Sequence, residues 1–305
     1  MQQLFYVLNG SVSVCIYFIN TVICVTPLLF FSVCKLIPIR PWQTLMSKTV
    51  DAIATLWIGI NNLNQKIFSR TRFTLNASGE LRKRDWYLVI ANHQSWVDIL
   101  TLQRVFNRKV PFLKFFLKQN LIFVPFLGLA WWGLDFPFMK RYSKSFLAKN
   151  PHLKGKDLET TKKACEKFRN SPVSIMNFVE GTRFSPKKLP QNSAFKRLLP
   201  PKSGGIAFVM SAMGERLNKL INVTIYYPGG IPSFWDFVCG KVKNVIVDVD
   251  TIEINQLKTS GIFNEGYFTD ENQKQKFQQW LNQLWLQKED KLLALEKEHE
   301  SSCGH

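Results

Sequence analysis

Residues 86–106 read WYLVIANHQSWVDILTLQRVF, and this stretch predicts a strand, a turn and a helix in immediate succession. The apolar run from Trp86 to Ala91 is short and rich in β-branched and aromatic residues, as expected of a buried strand. The helix is predicted to begin at Ser95, because Ser95 and Asp98 have the spacing of a capping box and apolar residues then recur at helical intervals. The stretch therefore indicates a domain that mixes α and β structure.

His93 lies on the predicted turn, five residues before Asp98. On a continuous helix, two residues five apart point about 140° away from each other and could not pair. With His93 on the turn and Asp98 in the first helical turn, the chain folds back and the carboxylate can meet the imidazole. Alternatively, Asp98 only caps the helix and His93 is a loop residue. The local pattern leaves both interpretations open.

Three later segments also combine an apolar run with a compact polar cluster. They are GLDFPFMKR (133–141), IMNFVEGTRFSP (175–186) and INVTIYYPGG (221–230). Together with NHQSWVD (92–98), they resemble the four sequence blocks of the glycerolipid acyltransferases, the family that includes lysophosphatidic acid acyltransferase. The resemblance covers roughly residues 85–230. The segments FVEGTRFS, LPPKSGG and NVTIYYPGG resemble those of the lysocardiolipin-type branch of this family.

Two positions depart from the pattern of that family. The usual FPEGTR carries Val179 in place of its proline, and the common VPV of the fourth block carries Thr224 in place of its proline. Both departures leave the histidine and the aspartate untouched, so they bear on acyl-donor and head-group preference.

The resemblance implies an α/β fold, with a single glycerolipid-acyltransferase-type domain whose central mixed sheet is flanked by helices. It also implies direct acyl transfer, with His93 and Asp98 as the catalytic pair. Such transfer requires a base for the hydroxyl proton, a partner that fixes the tautomer of the base, and donors for the developing oxyanion. Imidazole can be the base and a carboxylate its partner. Backbone N–H groups near Ser95 are candidate oxyanion donors.

An anionic acceptor requires cations, and EGTR follows the β-rich run VSIMNFV, which predicts that it lies at the rim of a sheet. Arg183 can contact a phosphate in bidentate geometry. Glu180 is predicted to anchor this loop or to orient Arg183, and Gly181 permits close backbone approach. Thr182 belongs to the same predicted substrate-binding element.

Two further cations are candidate contacts for the acceptor. Arg141 resembles the basic acceptor-binding position of the family, with Lys140 beside it, although a solvated pair of cations would have the same sequence. Lys202 in PPKSGG can reach the same phosphate or can belong to a basic surface loop.

The chain carries no charged side chain from Phe5 until Lys35, which is long enough for the roughly 20 apolar residues of a membrane span. The run is too long for a signal peptide and lacks a basic n-region, so we expect it to stay attached. Pro27, Asn9 and Asn20 leave two geometries open, a single tilted span or a helix pair that dips into one leaflet.

Basic residues follow this run, so the positive-inside rule places the rest of the chain in the cytoplasm, with the bacterial inner membrane as the expected location. We expect an N-terminal membrane segment over residues 1–42, an amphipathic helical connection over 43–84, the catalytic acyltransferase core over 85–255 and a C-terminal helical region over 256–305. Within them, 242–254 is typical of a strand and 269–299 of an amphipathic helix.

The segment 112–138 is strongly apolar, but charged residues, Pro125 and two glycines make it a poor membrane span. It is predicted to face the membrane or to form a tunnel for an acyl chain, and packing in the core is the alternative. Residues 142–169 are strongly basic, with a helix predicted from Leu158 to Phe168, and would meet anionic lipid head groups, an acidic acyl carrier or only solvent.

The composition limits the partners further. Forty Lys and Arg against 22 Asp and Glu give a formal charge of +18, which favours anionic partners. Nucleic acid is not expected, because the sequence has no zinc ligand set, helix-turn-helix pattern or aromatic RNA-binding block. Six cysteines form neither a disulfide framework nor CxxC spacing, so no metal site is predicted.

The sequence therefore predicts a membrane-bound O-acyltransferase that needs no cofactor. Its expected partners are membrane lipids, a lysophospholipid acceptor, and acyl-CoA or acyl carrier protein as the donor. The acyl chain would move to the free glycerol hydroxyl. The favoured acceptor is 1-acyl-glycerol-3-phosphate, which would give phosphatidic acid. The alternative is a noncatalytic lipid-binding membrane scaffold, which would explain the charge and the apolar run but not the four ordered blocks.

Overall fold

The computed structural model describes residues 1–139, 159, 163, 165–166 and 171–303. The strands within these residues are β1 (Arg72–Ala77), β2 (Trp86–Ala91), β3 (Leu113–Phe115), β4 (Leu117–Lys118), β5 (Phe138–Met139), β6 (Ser174–Asn177), β7 (Leu217–Tyr226) and β8 (Asn244–Glu253). The α-helices are α1 (Gln2–Cys34), α2 (Arg40–Asn64), α3 (Val97–Phe106), α4 (Leu127–Gly133), α5 (Gly204–Met213), α6 (Phe234–Val238), α7 (Ile254–Thr259) and α8 (Glu271–Cys303).

Six of these strands form one mixed sheet in the order β1-β8-β7-β2-β6-β3, while β4 and β5 pair separately. The β7–β8 pair is antiparallel and the other pairs are parallel. A parallel strand that is covered on both faces has an almost continuous apolar sequence, which is why WYLVIA stands out at the centre. The predicted mixed sheet flanked by helices is confirmed.

Side chains of β2 alternate between two cores, one on each face of the sheet. Tyr87, Val89 and Ala91 belong to the core that includes residues of α1, α2 and α3. Leu88 and Ile90 belong to the opposite core, which α5, α7 and α8 help to fill. This alternation is the two-residue period of a strand. The sheet is therefore the middle of three layers.

The structure corrects two expected boundaries. Strand β1 pairs with β8 in parallel, although we expected residues 43–84 to form only a helical connection. Its sequence RFTLNA is exposed or half-buried, so it lacks the apolar signal of a central strand. The second correction concerns α3, which begins at Val97 rather than at Ser95. Ser95 remains outside the helix because its hydroxyl donates to the Pro232 carbonyl at 2.5 Å.

Helices α1 and α2 face each other through polar side chains. The Asn20 amide donates to Asn61 Oδ1 at 2.8 Å and to the Trp57 carbonyl at 3.0 Å. Closer to the N-terminus of α1, Ser13 forms a second buried contact with Asn64 of α2. Large apolar side chains of α1 lie on the outside instead, among them Phe5, Leu8, Phe18, Ile19, Ile23 and Phe30. The protein thus leaves one apolar face of α1 uncovered, while Val25 and Leu28 on the other side of the helix join the core.

Helix α1 is 33 residues long, or about 50 Å, and it contacts the rest of the protein near both ends. Asn9 donates to the Phe68 carbonyl at 2.8 Å and to the Cys239 carbonyl at 3.2 Å. Near the other end, Lys35 pairs with Asp135 at 2.6 Å. It is also the one helix of the described residues that is long and apolar enough to cross a membrane.

Candidate active site

His93 and Asp98 meet at the C-terminal edge of β2. His93 Nδ1 lies 2.9 Å from Asp98 Oδ2, and the aspartate is fully buried. The chain reaches this geometry because the preceding residue, Asn92, exchanges two hydrogen bonds with the backbone of Ile225 in β7, at 2.8 and 2.9 Å. These bonds fix the turn after β2, so that the imidazole lies over the start of α3. The contact predicted between the two side chains is present.

Asp98 also holds the turn just before α3, so a contact with His93 and a local structural role are not exclusive. Its Oδ2 atom accepts the backbone N–H groups of Gln94 at 2.6 Å and Ser95 at 2.8 Å. The N–H of Val97 donates to the Ser95 hydroxyl. These three N–H groups already have acceptors, so the structure does not support them as oxyanion donors.

The carboxylate sets the chemistry of the imidazole. An ionised Asp98 at Nδ1 favours the tautomer that carries its proton on Nδ1, which leaves the lone pair on Nε2. The ring of His93 also stacks on Phe178, with centroids 3.9 Å apart. Stacking and pairing together restrict the ring to one orientation. Such a histidine can accept a proton from a hydroxyl that is held near Nε2.

Glu180 lies beneath the EGTR loop rather than inside the cavity, with only 1% of its surface exposed. It accepts the backbone N–H of His93 at 3.2 Å and that of Leu199 at 3.1 Å. Burial raises the pKa of Glu180 to about 8, although these two donors and the Lys288 ammonium oppose that rise. Glu180 therefore ties together the turn that carries His93 and the segment before Lys202.

The other residues of the loop are held from several sides. Gly181 has a φ of +74°, a conformation that favours glycine. Lys188 Nζ donates to the Thr182 hydroxyl and to the Arg183 carbonyl, both at 2.9 Å. The Arg183 guanidinium lies 4.7 Å from the ring centroid of Trp96, in a cation–π contact. Arg183 is thus held beside the turn that carries His93.

An apolar cavity of about 550 Å³ has His93 in its wall. His93, Arg183 and Trp96 line it together with apolar residues of the segment 112–138 such as Leu121. Helices α1 and α2 complete its wall through Tyr17, Thr21, Trp57 and Asn61. The size and lining are those of a site that buries a small or elongated apolar ligand beside a few polar groups.

The segment 112–138 is divided among a cavity wall, the surface and the core. Leu117, Leu121, Leu127, Trp131 and Phe136 line the cavity. Phe123, Phe126, Leu129 and Trp132 are exposed, while Ala130 and Leu134 are buried in the core. The segment therefore contributes to the cavity, the surface and the core.

Of the two further predicted cations, Lys202 does not join His93 and Arg183, and Arg141 lies outside the described residues. Lys202 is exposed and does not line the cavity, and its backbone N–H donates to the Val179 carbonyl at 2.8 Å. Arg141 and its neighbour Lys140 lie outside the described residues. Most of the predicted helix 158–168 also lies outside them.

Sequence reasoning missed a buried charge on the far side of the sheet. Lys288 of α8 is 2% exposed and donates to the Val223 carbonyl of β7. Burial lowers the pKa of Lys288 to about 7, and Glu180 is the foremost of the charges that oppose this. An amphipathic helix gives no local sign that one of its lysines points inward. Across the described residues, no cluster of side chains has the composition of a metal site.

Glu180→Ala is expected to lower the free energy of unfolding by about 2–5 kcal/mol, because two buried N–H groups lose their acceptor. Glu180→Gln keeps an acceptor in place and is expected to cost less. The thermal unfolding midpoint in detergent measures both effects, with the exposed Glu215→Ala as a control. If Glu180→Ala were as stable as Glu215→Ala, Glu180 would not anchor the loop.

Comparison with known proteins relates this geometry to other chains. A family model described as acyltransferase matches residues 72–228, more than half of the chain. A 1-acyl-sn-glycerol-3-phosphate acyltransferase of Saccharomyces cerevisiae is 32% identical over 129 residues, which are 42% of this chain and 35% of the relative. Uncharacterised acyltransferases of S. cerevisiae and Schizosaccharomyces pombe are 29% and 30% identical, over 50% and 46% of this chain and 44% and 43% of the relatives. The chain thus spans less than half the length of these relatives.

A solved structure shares the fold over almost the whole chain. The crystal structure of the 1-acyl-sn-glycerophosphate (LPA) acyltransferase PlsC from Thermotoga maritima matches with a TM-score of 0.56 and 16% identity. The match covers 94% of this chain and 97% of that one, so it includes the N-terminal helices as well as the sheet.

Proposed function

Because this chain belongs to the acyltransferase family, we propose that it transfers an acyl chain from a thioester donor to the free glycerol hydroxyl of a lysophospholipid. The observation that carries the proposal is the His93–Asp98 pair, whose histidine lines an apolar cavity together with Arg183. A base, an apolar cavity and a cation are what a reaction between an acyl thioester and a phosphorylated lipid requires.

In the proposed reaction, the acceptor hydroxyl donates its proton to Nε2 of His93 as its oxygen attacks the thioester carbonyl. Asp98 stabilises the imidazolium that forms, as the carboxylate does in hydrolase triads. When the tetrahedral intermediate collapses, the C–S bond breaks and the thiolate takes the proton from the imidazolium. The products are the acylated glycerol and a free thiol, and the protein returns to its starting state.

The acceptor is proposed to be 1-acyl-glycerol-3-phosphate, which would yield phosphatidic acid. Arg183 supports a phosphorylated acceptor, because a guanidinium offers two parallel N–H donors to phosphate oxygens. The relative from S. cerevisiae is named for the same acceptor. The two departures from the family pattern do not contradict this choice, since Val179 and Thr224 are both buried and absent from the cavity lining.

The donor is proposed to be acyl-CoA or acyl carrier protein, and the reaction as written needs no cofactor. The test is to incubate the purified protein with radiolabelled acyl-CoA and, separately, with acyl-loaded carrier protein, against a panel of lysophospholipids. Chromatography then identifies the labelled product. A noncatalytic lipid-binding scaffold would form no product with any pair, which would contradict the proposal.

The uncovered face of α1 supports attachment to a membrane, and the basic residues that follow the apolar run favour the cytoplasmic side for the catalytic domain. We propose that this face enters the lipid, while the contacts of Asn9 and Lys35 hold the helix against the domain. Location in the bacterial inner membrane remains a prediction, and the curated relatives named above are from yeasts. Deleting residues 1–42 would be a poor test, because α1 and α2 also wall the cavity.

Substituting Ile19 and Ile23 together by aspartate is expected to lower binding to phospholipid vesicles by roughly tenfold or more, since a carboxylate is costly in hydrocarbon. Both side chains are exposed on α1. The matched control is Leu286→Asp, which changes an exposed leucine of α8 on the other side of the sheet. Co-sedimentation with vesicles measures the effect. Equal loss of binding in both variants would contradict attachment through α1.

A further inference from the structure

Tyr227 follows the last residue of β7, and its hydroxyl donates to Asp98 Oδ1 at 2.6 Å. The side chain is 3% exposed, and the two residues lie 129 positions apart in the sequence. The bonds between Asn92 and Ile225 align the ends of β2 and β7, which places the tyrosine against the aspartate. This contact is thus built by the sheet rather than by the turn.

The two oxygens of Asp98 have separate sets of partners. Oδ2 faces His93 and the backbone N–H groups of Gln94 and Ser95. Oδ1 receives the Tyr227 hydroxyl. If Oδ1 had no donor, the buried carboxylate would carry an unsatisfied acceptor and could rotate to exchange its oxygens. The tyrosine hydroxyl opposes that rotation because it binds on the side away from His93.

We propose that Tyr227 is a positioning residue for acyl transfer, which holds the Asp98 carboxylate in the orientation that pairs Oδ2 with His93. This inference rests on the proposed function, because it assigns Tyr227 a role only through the catalytic pair. It predicts that the hydroxyl contributes to the chemical step and not to acceptor binding.

The protonation state of Tyr227 suits a permanent donor. Burial, followed by the neighbouring Asp98 carboxylate, holds the pKa of Tyr227 well above its usual value. The hydroxyl therefore keeps its proton at neutral pH. Phenylalanine would fill the same space without the donor, so Tyr227→Phe removes the hydrogen bond to Asp98 and little else.

The test compares Tyr227→Phe with the full-length wild-type protein, using acyl-CoA and 1-acyl-glycerol-3-phosphate. We expect kcat to fall by about 10- to 100-fold, since a buried acceptor loses its partner, while KM for the acceptor changes less than about twofold because Arg183 is untouched. Tyr226→Phe makes the same change one residue earlier, where the side chain packs with the opposite core. It is expected to leave kcat within about twofold of wild type.

A merely structural role is separated by coupling. In an Asp98→Asn background, Tyr227→Phe is expected to add less than about threefold further loss, because residues that act as one unit are non-additive. A full additional loss there, or an equal rise in KM, would overturn the inference. So would wild-type kcat in Tyr227→Phe. The wild-type control separates this outcome from a failure of the proposed function. If the wild-type protein itself transferred no acyl group, the proposed function would be wrong.

Discussion

His93→Ala is expected to abolish detectable acyl transfer, because it removes the base that takes the acceptor proton. Removal of a catalytic residue that acts in a unit reduces kcat by roughly 10⁴- to 10⁶-fold in well-studied hydrolases, which is below the background of most radiochemical assays. The side chain lines the cavity and stacks on Phe178. Product formation at saturating acyl-CoA and acceptor is the measurement, with His299→Ala on α8 as the histidine control.

Asp98→Asn separates catalysis from helix capping. Asparagine keeps the shape and can cap a helix, but it loses the charge that stabilises the imidazolium and sets its tautomer. We therefore expect a loss of about 10³- to 10⁴-fold in kcat. Asp236→Asn is the matched control, since Asp236 caps α6 through a capping box with Ser233.

The controls define the results that would contradict this prediction. If Asp98→Asn transferred acyl groups as fast as Asp236→Asn, Asp98 would be only a helix cap. If His93→Ala remained active, the proposed function itself would be wrong, and the lipid-binding scaffold would be the better interpretation. Comparable membrane binding and unfolding midpoints for all variants ensure that differences in rate do not come from misfolding.

Arg183→Ala is expected to reduce kcat/KM for the phosphorylated acceptor by roughly 30- to 1000-fold, mainly through KM. That range corresponds to about 2–4 kcal/mol, as for the loss of one partner of a charge-assisted contact. Arg183→Lys should recover part of the loss, because lysine keeps the charge without the bidentate geometry. Steady-state kinetics with varied acceptor measure the effect.

An acceptor without phosphate sharpens this test. Monoacylglycerol offers the same hydroxyl, so its slower transfer should change little between wild type and Arg183→Ala. The matched control is Arg197→Ala, which also removes one positive charge. The Arg197 guanidinium pairs with Glu296 on the surface. An unchanged kcat/KM for the phosphorylated acceptor in Arg183→Ala would show that the arginine does not bind the phosphate.

Local sequence patterns predicted those parts of the molecule that depend on neighbouring residues. The strand, turn and helix around His93 could be predicted because an apolar run and a capping aspartate lie within 13 positions of each other. Strand β1 could not be predicted in this way, because it has no apolar run of its own. It forms by pairing with β8, for example Phe73 with Val245, which is distant in the sequence. An edge strand is stabilised by its partner, which a local pattern does not contain.

The same limit applies to the site. The sequence allowed a contact between Asp98 and His93, because the turn after β2 and the start of α3 are adjacent in the chain. It could not assign Tyr227 to Asp98 or Lys288 to the neighbourhood of Glu180, because those contacts depend on how distant elements pack. Nor could it show that Glu180 is buried and binds only backbone N–H groups. The role of a polar side chain is decided by what surrounds it after folding.

The docking of α1 has a consequence for biosynthesis. Asn9 contacts Phe68 and Cys239, which lie 59 and 230 residues further along the chain. While the ribosome extends the chain at about 5–20 residues per second, α1 therefore waits on the order of ten seconds or longer before its last partner is made. During that interval the apolar side chains of α1 and the Asn9 amide both lack their final surroundings. Early delivery to a lipid surface would cover the apolar side chains, and the contact of Asn9 with Cys239 would form only when the C-terminal half folds against the helix.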